Sequence, residues 1–114
     1  MLFDRDPKNE QKVMQVLDEL KLDNNMMGYH YLIDALLVLS PGSNIHYTDF
    51  NSLTIIVGGI HEVSGGRVYS AMKNVIEKAF KKRDKKVWGT YFHSLSEPSP
   101  QYFITNVYSK LWGK

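Results

Sequence analysis

The sequence predicts an all-α fold, a compact bundle of about six helices with an embedded helix-turn-helix. Three observations lead to this prediction. Apolar residues recur at the spacing of one helical face in several separate segments. Two of those segments begin with a capping residue followed by proline, which is the usual chemistry of a helix start. Between residues 53 and 80, apolar, very small and turn residues follow the order expected of two helices joined by a tight turn.

The composition predicts a single globular domain spanning residues 1–114. With 43% hydrophobic and 23% charged residues, a chain of 114 residues can bury a core of its own. The absence of cysteine excludes disulfides and thiolate metal sites, so a reducing, cytoplasmic setting is expected. No membrane partner is expected, because the most apolar run, Leu32 to Leu39, is short and contains Asp34. The first ten residues are too acidic and polar for a signal peptide.

Charge is divided unevenly along the chain. Residues 1–65 contain four cations and nine acids, a net charge of −5, whereas residues 66–114 contain ten cations and three acids, a net charge of +7. This asymmetry indicates a polyanionic partner for one face of the protein. The alternative interpretation is a lysine-rich face that contacts only solvent.

The first two helices are indicated by their caps and apolar spacing. Asp6-Pro7 begins the first helix, whose inward face comprises Val13, Val16, Leu17 and Leu20. Turn residues 23–25 end it. The second helix is predicted from about Met27 to Leu39, and it should bury Tyr29, Leu32, Ile33, Leu36 and Leu37. Pro41-Gly42-Ser43 closes that segment.

The next segment contains the first helix of the proposed motif. Thr48 or Asp49 caps a short element through Leu53. Residues 53–57 resemble a strand in their β-branched content. We nevertheless predict a short helix over Thr54–Glu62, because the spacing of the following residues fits a helix-turn-helix.

A very small residue, Gly58, stands where the motif needs its two helices to cross closely, and Val63 supplies the apolar residue of the turn. The second helix, about residues 66–83, should bury Val68, Met72, Val75, Ile76 and Ala79. After Asp84 the chain is expected to be irregular. Ser99-Pro100 then begins a last helix with Phe103, Ile104, Val107 and Leu111 on one side.

Several segments together resemble a known family. Residues 17–39 contain a glycine-tyrosine-x-tyrosine-leucine signature, residues 64–80 read SGGRVYSAMKNVIEKAF, and Trp88-Gly89 and residues 98–111 follow in order. These four pieces are similar to the C-terminal DNA-binding effector domain of the sporulation initiation response regulators, the stage zero sporulation protein A family. The resemblance implies an all-helical, bacterial cytoplasmic domain that binds a short box in double-stranded DNA as tandem protomers and regulates transcription.

The resemblance also implies which residues read bases. The family uses an arginine, a glutamate two positions later and then a second arginine. Arg67 matches the first, but Tyr69 and Ser70 stand at the other two positions, so the family's target sequence is not carried over. Lys73 keeps a basic residue at the next family position. The family's receiver domain is absent from these residues, so the chain is either an excised effector domain or a stand-alone protein.

The candidate DNA contacts fall into two groups. Arg67 can donate two hydrogen bonds to guanine, and further base contacts are expected from Tyr69, Ser70, Lys73 and Asn74. For Tyr69, packing in the core is an equal alternative. Phosphate contacts are expected from Lys78, Lys81, Lys82 and Arg83.

No enzymatic activity, cofactor or metal is expected. The four histidines, His30, His46, His61 and His93, lack metal-ligand spacing, and His61 is interpreted as a core residue. No paired carboxylates, nucleophile-base pair or phosphate-binding glycine loop stands out.

The last helix is rich in aromatic residues. Tyr102, Tyr108 and Trp112 are candidates for contact with a neighbouring protomer in a homodimer or a tandem arrangement on DNA, with core packing as the alternative. Contact with the transcription machinery is a further expectation. A second hypothesis makes the chain a protein-interaction module that pairs with a full-length regulator and has lost base readout, because Tyr69 and Ser70 replace charged readers.

Overall fold

The structure, a computed structural model, describes residues 6–41 and 49–113. Within those ranges it contains six helices and no strand, which confirms the all-α prediction. The helices are α1 (Pro7–Glu19), α2 (Met27–Val38), α3 (Phe50–His61), α4 (Gly65–Lys81), α5 (Lys85–Gly89) and α6 (Pro100–Trp112).

Side-chain caps define five of the six helix starts. In each, an aspartate or serine oxygen accepts a backbone N–H of the first turn, satisfying a donor that has no partner within the helix. These caps are Asp6, Asp49, Ser64, Asp84 and Ser99. The starts predicted at Asp6-Pro7 and Ser99-Pro100 are therefore confirmed.

Helix α2 forms the centre of the fold. Ten of its twelve residues are buried, and it packs against α1, α3, α4 and α6. The residues predicted to be buried on this helix all are. A helix that is apolar on every side is stable only inside a protein, and the surrounding helices provide that environment.

Helix α2 approaches α4 closely at Gly28. A Cβ atom added to Gly28 would lie 2.1 Å from the backbone oxygen of Ala71 and 2.8 Å from Cγ1 of Val75, both on α4. The two backbones can approach this closely only because position 28 has no side chain. Gly28 therefore fixes the distance between α2 and α4.

Two predicted elements differ from the structure. The short element capped by Thr48 or Asp49 and the helix over Thr54–Glu62 form one helix, α3, in which the Asp49 carboxylate accepts the N–H of Ser52 at 2.7 Å. Thr48 and residues Gly42-Ser43 of the predicted turn lie outside the described ranges. The β-branched residues tolerate the helical conformation because Thr54 and Val57 are buried against neighbouring helices.

Residues after Asp84 are not irregular throughout. The Asp84 carboxylate accepts the N–H groups of Lys86 and Val87 and starts the short helix α5. The buried Trp88 indole then donates to the backbone oxygen of Leu20 at 3.1 Å. This contact joins residues 68 positions apart, so local sequence patterns do not reveal it.

Substitution of Gly28 tests the close approach of α2 and α4. We expect Gly28→Ala to lower the free energy of unfolding by about 1–3 kcal/mol, because the added methyl forces two backbones apart. Gly59→Ala is the matched control: its Cβ would meet no atom within 4 Å in the last turn of α3, so it should stabilise by about 0.5–1 kcal/mol. Urea denaturation measures both, and equal effects of the two substitutions would contradict the packing at Gly28.

Candidate nucleic-acid interface

The turn between α3 and α4 requires a very small residue at position 58. The N–H of Val63 donates to the oxygen of Gly58 at 2.9 Å, and Glu62 adopts a left-handed conformation with φ of 59°. A Cβ atom at Gly58 would lie 2.4 Å from the backbone oxygen of Val63. The sequence predicts that Gly58 lets the two helices of the motif cross closely, whereas in the structure a Cβ atom there would meet the turn first. The atom that excludes it belongs to the turn rather than to the body of α4.

Helix α4 has two distinct faces. All five of its predicted inward residues are buried, whereas Arg67, Ser70, Lys73 and Asn74 are exposed. The predicted range of residues 66–83 is slightly too long, because the helix ends at Lys81, Lys82 is its C-cap and Arg83 lies beyond it. Residues 65–76 contain no acid, so the charged groups that the first three turns expose around Arg67 are cationic.

Tyr69 lies at the edge of this exposed face. Its side chain is 40% exposed, and its ring packs edge-on against Phe50 with centroids 6.0 Å apart. One side of the Tyr69 ring is packed and the other is accessible, so its contact with DNA stays a prediction.

Lys78 has an intramolecular partner. Its Nζ lies 2.8 Å from Oδ2 of Asp23, at the turn between α1 and α2. The hydrogen bond from Lys78, together with one from the N–H of Asn25, holds the pKa of the Asp23 carboxyl below its usual value. Lys78 is therefore less available to an external anion than an exposed lysine without such a partner.

Arg83 is also engaged within the protein. Its Nη1 donates to the backbone oxygen of Phe80 at 2.9 Å, and its guanidinium carbon lies 3.8 Å from the centre of the Phe80 ring. Lys81 makes only a long contact of 3.9 Å with Glu77, and Lys82 is exposed. Among the four predicted phosphate contacts, Lys81 and Lys82 are thus the more accessible.

A groove beside the start of α4 brings together the N-terminal turns of three helices. Its lining comes from α3 (Phe50, Asn51, Thr54), α4 (Gly65, Gly66, Tyr69, Ser70) and α6 (Gln101). The N-terminal turn of a helix carries backbone N–H groups and the positive end of the helix dipole. Three helix N-termini and the adjacent Arg67 therefore contribute positive charge at this groove, and the Asp49 carboxylate that caps α3 contributes one negative charge beside it.

The aromatic residues of α6 divide into two groups. Tyr102 is 37% exposed, with its ring 6.2 Å from that of Phe92. Tyr108 and Trp112 are half-buried and pack against each other at 5.6 Å. Trp112 Nε1 is buried, and no described group accepts its hydrogen bond. Of the three predicted protomer contacts, Tyr102 presents the most accessible surface.

The three described histidines do not share a contact. His30 bonds to the backbone oxygen of Asn24, His61 to the carboxylate of Asp34, and His93 is exposed. His61 is half-buried rather than a core residue, because it lies in the last turn of α3 at the protein surface. His46 lies outside the described ranges. Across residues 6–41 and 49–113, no group of three potential ligands could hold a metal ion.

Two features of this site are not among the predictions made from the sequence. The pairing of Asp23 with Lys78 joins residues 55 positions apart, so no local pattern signals it. Ile55 is 58% exposed although its neighbours on both sides are buried or half-buried. Helical spacing from Leu53 and Val57 places Ile55 on the opposite face, and that spacing is a signal that could have found it.

No family model matches the chain, and a search of curated proteins finds no match. The resemblance to the sporulation regulators therefore depends on the sequence segments alone. None of the helices in the described part of the chain is long and apolar enough to cross a membrane.

The contact between Asp23 and Lys78 predicts a titration shift. Asp23 should titrate below its ordinary pKa of 3.8, and Lys78→Ala should move its pKa up toward that value because the main hydrogen bond is lost. The pair therefore contributes stability above pH 3.8, which disappears as the pH falls through the lowered pKa. Lys82→Ala, the control, removes only a weak charge effect. Carboxyl NMR titration measures both; equal shifts in the two variants would contradict the pairing.

Proposed function

We propose that this chain binds double-stranded DNA sequence-specifically and regulates transcription, with α4 inserted in the major groove. The observation that carries the proposal is the exposed face of α4. Its first three turns expose Arg67, Ser70, Lys73 and Asn74 without an intervening acid, while its opposite face is buried. An α-helix fits the width of the major groove, and these side-chain types bond to base edges there.

The α3–α4 pair supports a helix-turn-helix. The turn is tight because Gly58 accommodates the oxygen of Val63, and Glu62 reverses the chain in a left-handed conformation. Helix α4 then begins at the Ser64 cap, with its N-terminal turn at the surface. In proteins of this class the second helix contacts base edges through its N-terminal residues.

Each polar group on the face has a specific role in the proposal. Arg67, in the first turn of α4, donates two hydrogen bonds to O6 and N7 of a guanine. Ser70 and Asn74 lie on the same side and can bond to neighbouring bases, whereas Lys73 contacts a base or a phosphate. This division assigns sequence preference mainly to the N-terminal half of α4.

Phosphate binding is assigned to two kinds of group. Lys81 and Lys82 supply accessible cations near the end of α4. At the other end, the N-terminal turns of α3, α4 and α6 meet at one groove, where the backbone N–H groups not bonded to the caps Asp49, Ser64 and Ser99 can donate to a phosphate. Lys78 and Arg83 contribute less, because Asp23 and Phe80 already engage them.

The resemblance to the sporulation regulators supports transcription regulation as the role of DNA binding. It also suggests tandem protomers on DNA, for which the accessible Tyr102 is the best placed of the α6 aromatic residues. Contact with the transcription machinery belongs to the same proposal. Tyr69 and Ser70 in place of the family's charged readers imply a different target box.

Arg67→Ala tests the base-reading role. We expect it to weaken binding to the preferred duplex by about 1–3 kcal/mol and to relax preference at one base pair, because a bidentate contact is lost. Lys12→Ala, on the exposed side of α1, removes one cation away from α4 and should leave preference unchanged. Titration of enriched and random duplexes at two salt concentrations measures this. Absence of duplex binding at low salt would contradict the proposal.

Adjacent cations at the end of α4 provide a second test. Lys82→Ala should reduce the dependence of log affinity on log salt by about 0.9, because one phosphate contact is lost. Arg83→Ala should change that slope much less, since its guanidinium bonds to Phe80. Salt titration of both variants against one duplex is the measurement. A larger change for Arg83→Ala would show that the phosphate assignment is wrong.

One observation favours the protein-interaction alternative. Met14 and Met27 are exposed, at 39% and 51%, in a groove between α1, α2 and α3 that also contains Ile33 and Ile60. Methionine-rich surfaces adapt to apolar partners. Under this alternative, a full-length regulator would co-purify with the chain after nuclease treatment, Arg67→Ala would leave the complex intact, and Met27→Lys would disrupt it.

A further inference from the structure

Two exposed apolar side chains adjoin the first turn of α4. Ile55 on α3 is 58% exposed and Tyr69 on α4 is 40% exposed. Single exposed apolar residues are common on protein surfaces and need no explanation by themselves. Here both lie beside the helix end that carries Arg67.

The local geometry places Ile55 against α4. A Cβ atom at Gly65 would lie 3.2 Å from Cγ1 of Ile55, so the isoleucine side chain packs over the first turn. At Gly66, a Cβ atom would meet nothing closer than Oγ of Ser64 at 4.0 Å. The first turn of α4 therefore has no side chain at Gly65 or Gly66, and the Ile55 side chain lies beside it.

Tyr69 lies one turn further along α4. Gly65, Gly66 and Tyr69 line the same groove, and Phe50 holds the tyrosine ring edge-on at 6.0 Å. Because packing fixes the ring, contact with a ligand would lose little conformational entropy. The two glycines allow the helix backbone to come close to whatever occupies the groove.

We infer that Ile55 and Tyr69 contact the C5-methyl groups of thymines, so that the preferred box contains thymines read by these two side chains. This inference rests on the proposed function. The thymine methyl is the apolar group that base edges present in the major groove. The cationic surroundings, with Arg67 and Lys73 exposed on the same helix, favour a polyanion carrying methyl groups over an apolar protein segment.

The experiment begins with a box enriched from random duplexes by the wild-type protein. Each thymine of the box is then replaced singly by deoxyuridine, which removes the methyl and keeps the hydrogen-bonding edge. We expect one or two positions at which binding weakens by about three- to fivefold per methyl. The dependence on salt should not change at those positions, because no phosphate contact is altered.

Protein variants assign the methyl contacts. Ile55→Ala and Tyr69→Ala should each weaken binding to the thymine duplex and lose sensitivity to deoxyuridine at one position, as a double-mutant cycle detects. Met14→Ala is the matched control, since it shortens an exposed apolar residue on α1 and should keep full sensitivity. Far-ultraviolet circular dichroism confirms that each variant is folded.

Three outcomes would overturn the inference. Sequence-selective binding that is insensitive to deoxyuridine at every position would reject it while leaving the proposed DNA binding intact. Methyl sensitivity unchanged by both Ile55→Ala and Tyr69→Ala would reject the assignment to these residues. Failure to enrich or bind any duplex at low salt would reject both proposals together, and a protein captured through Ile55 and Tyr69 would then be their partner.

Discussion

The structure depends on the close packing of α2 against α4. Helix α2 is buried on nearly every side, and Gly28 lets its backbone approach that of α4 at Ala71 more closely than any other residue would. This contact fixes the rotation of α4 about its axis. Val68, Met72 and the other apolar residues of α4 must face the core, so Arg67 and Asn74 must face solvent.

The same packing separates the charges. Asp23, at the turn between α1 and α2, lies on the side of α4 that carries Lys78, where one ion pair forms. The opposite edge, near Ser70 and the groove between three helix starts, contains no acid among its lining residues. Arg67 and Lys73 are therefore the charged side chains in the first three turns of α4, although the chain as a whole has a net charge of only +2.

Much of the fold could be predicted from the sequence because its signals are local. Asp6-Pro7, Ser64 and Ser99-Pro100 begin helices through a few neighbouring atoms, and the inward face of α4 follows from helical spacing. The prediction of two separate elements between residues 49 and 62 was wrong, because the β-branched run belongs to a single helix capped at Asp49. For the candidate site, exposure of Arg67 followed from periodicity. The ion pair between Asp23 and Lys78 joins residues that are far apart in the sequence, so helical periodicity cannot predict it.

We propose that the exposed face of α4 is the surface that binds duplex DNA. Amide chemical-shift mapping on the isotope-labelled chain, with an enriched duplex added, tests this proposal. We predict that the largest changes occur at Gly66, Arg67, Ser70 and Asn74, with smaller ones in the first turn of α3. Changes concentrated around Met14 and Met27, with the amides of α4 unaffected, would contradict the claim.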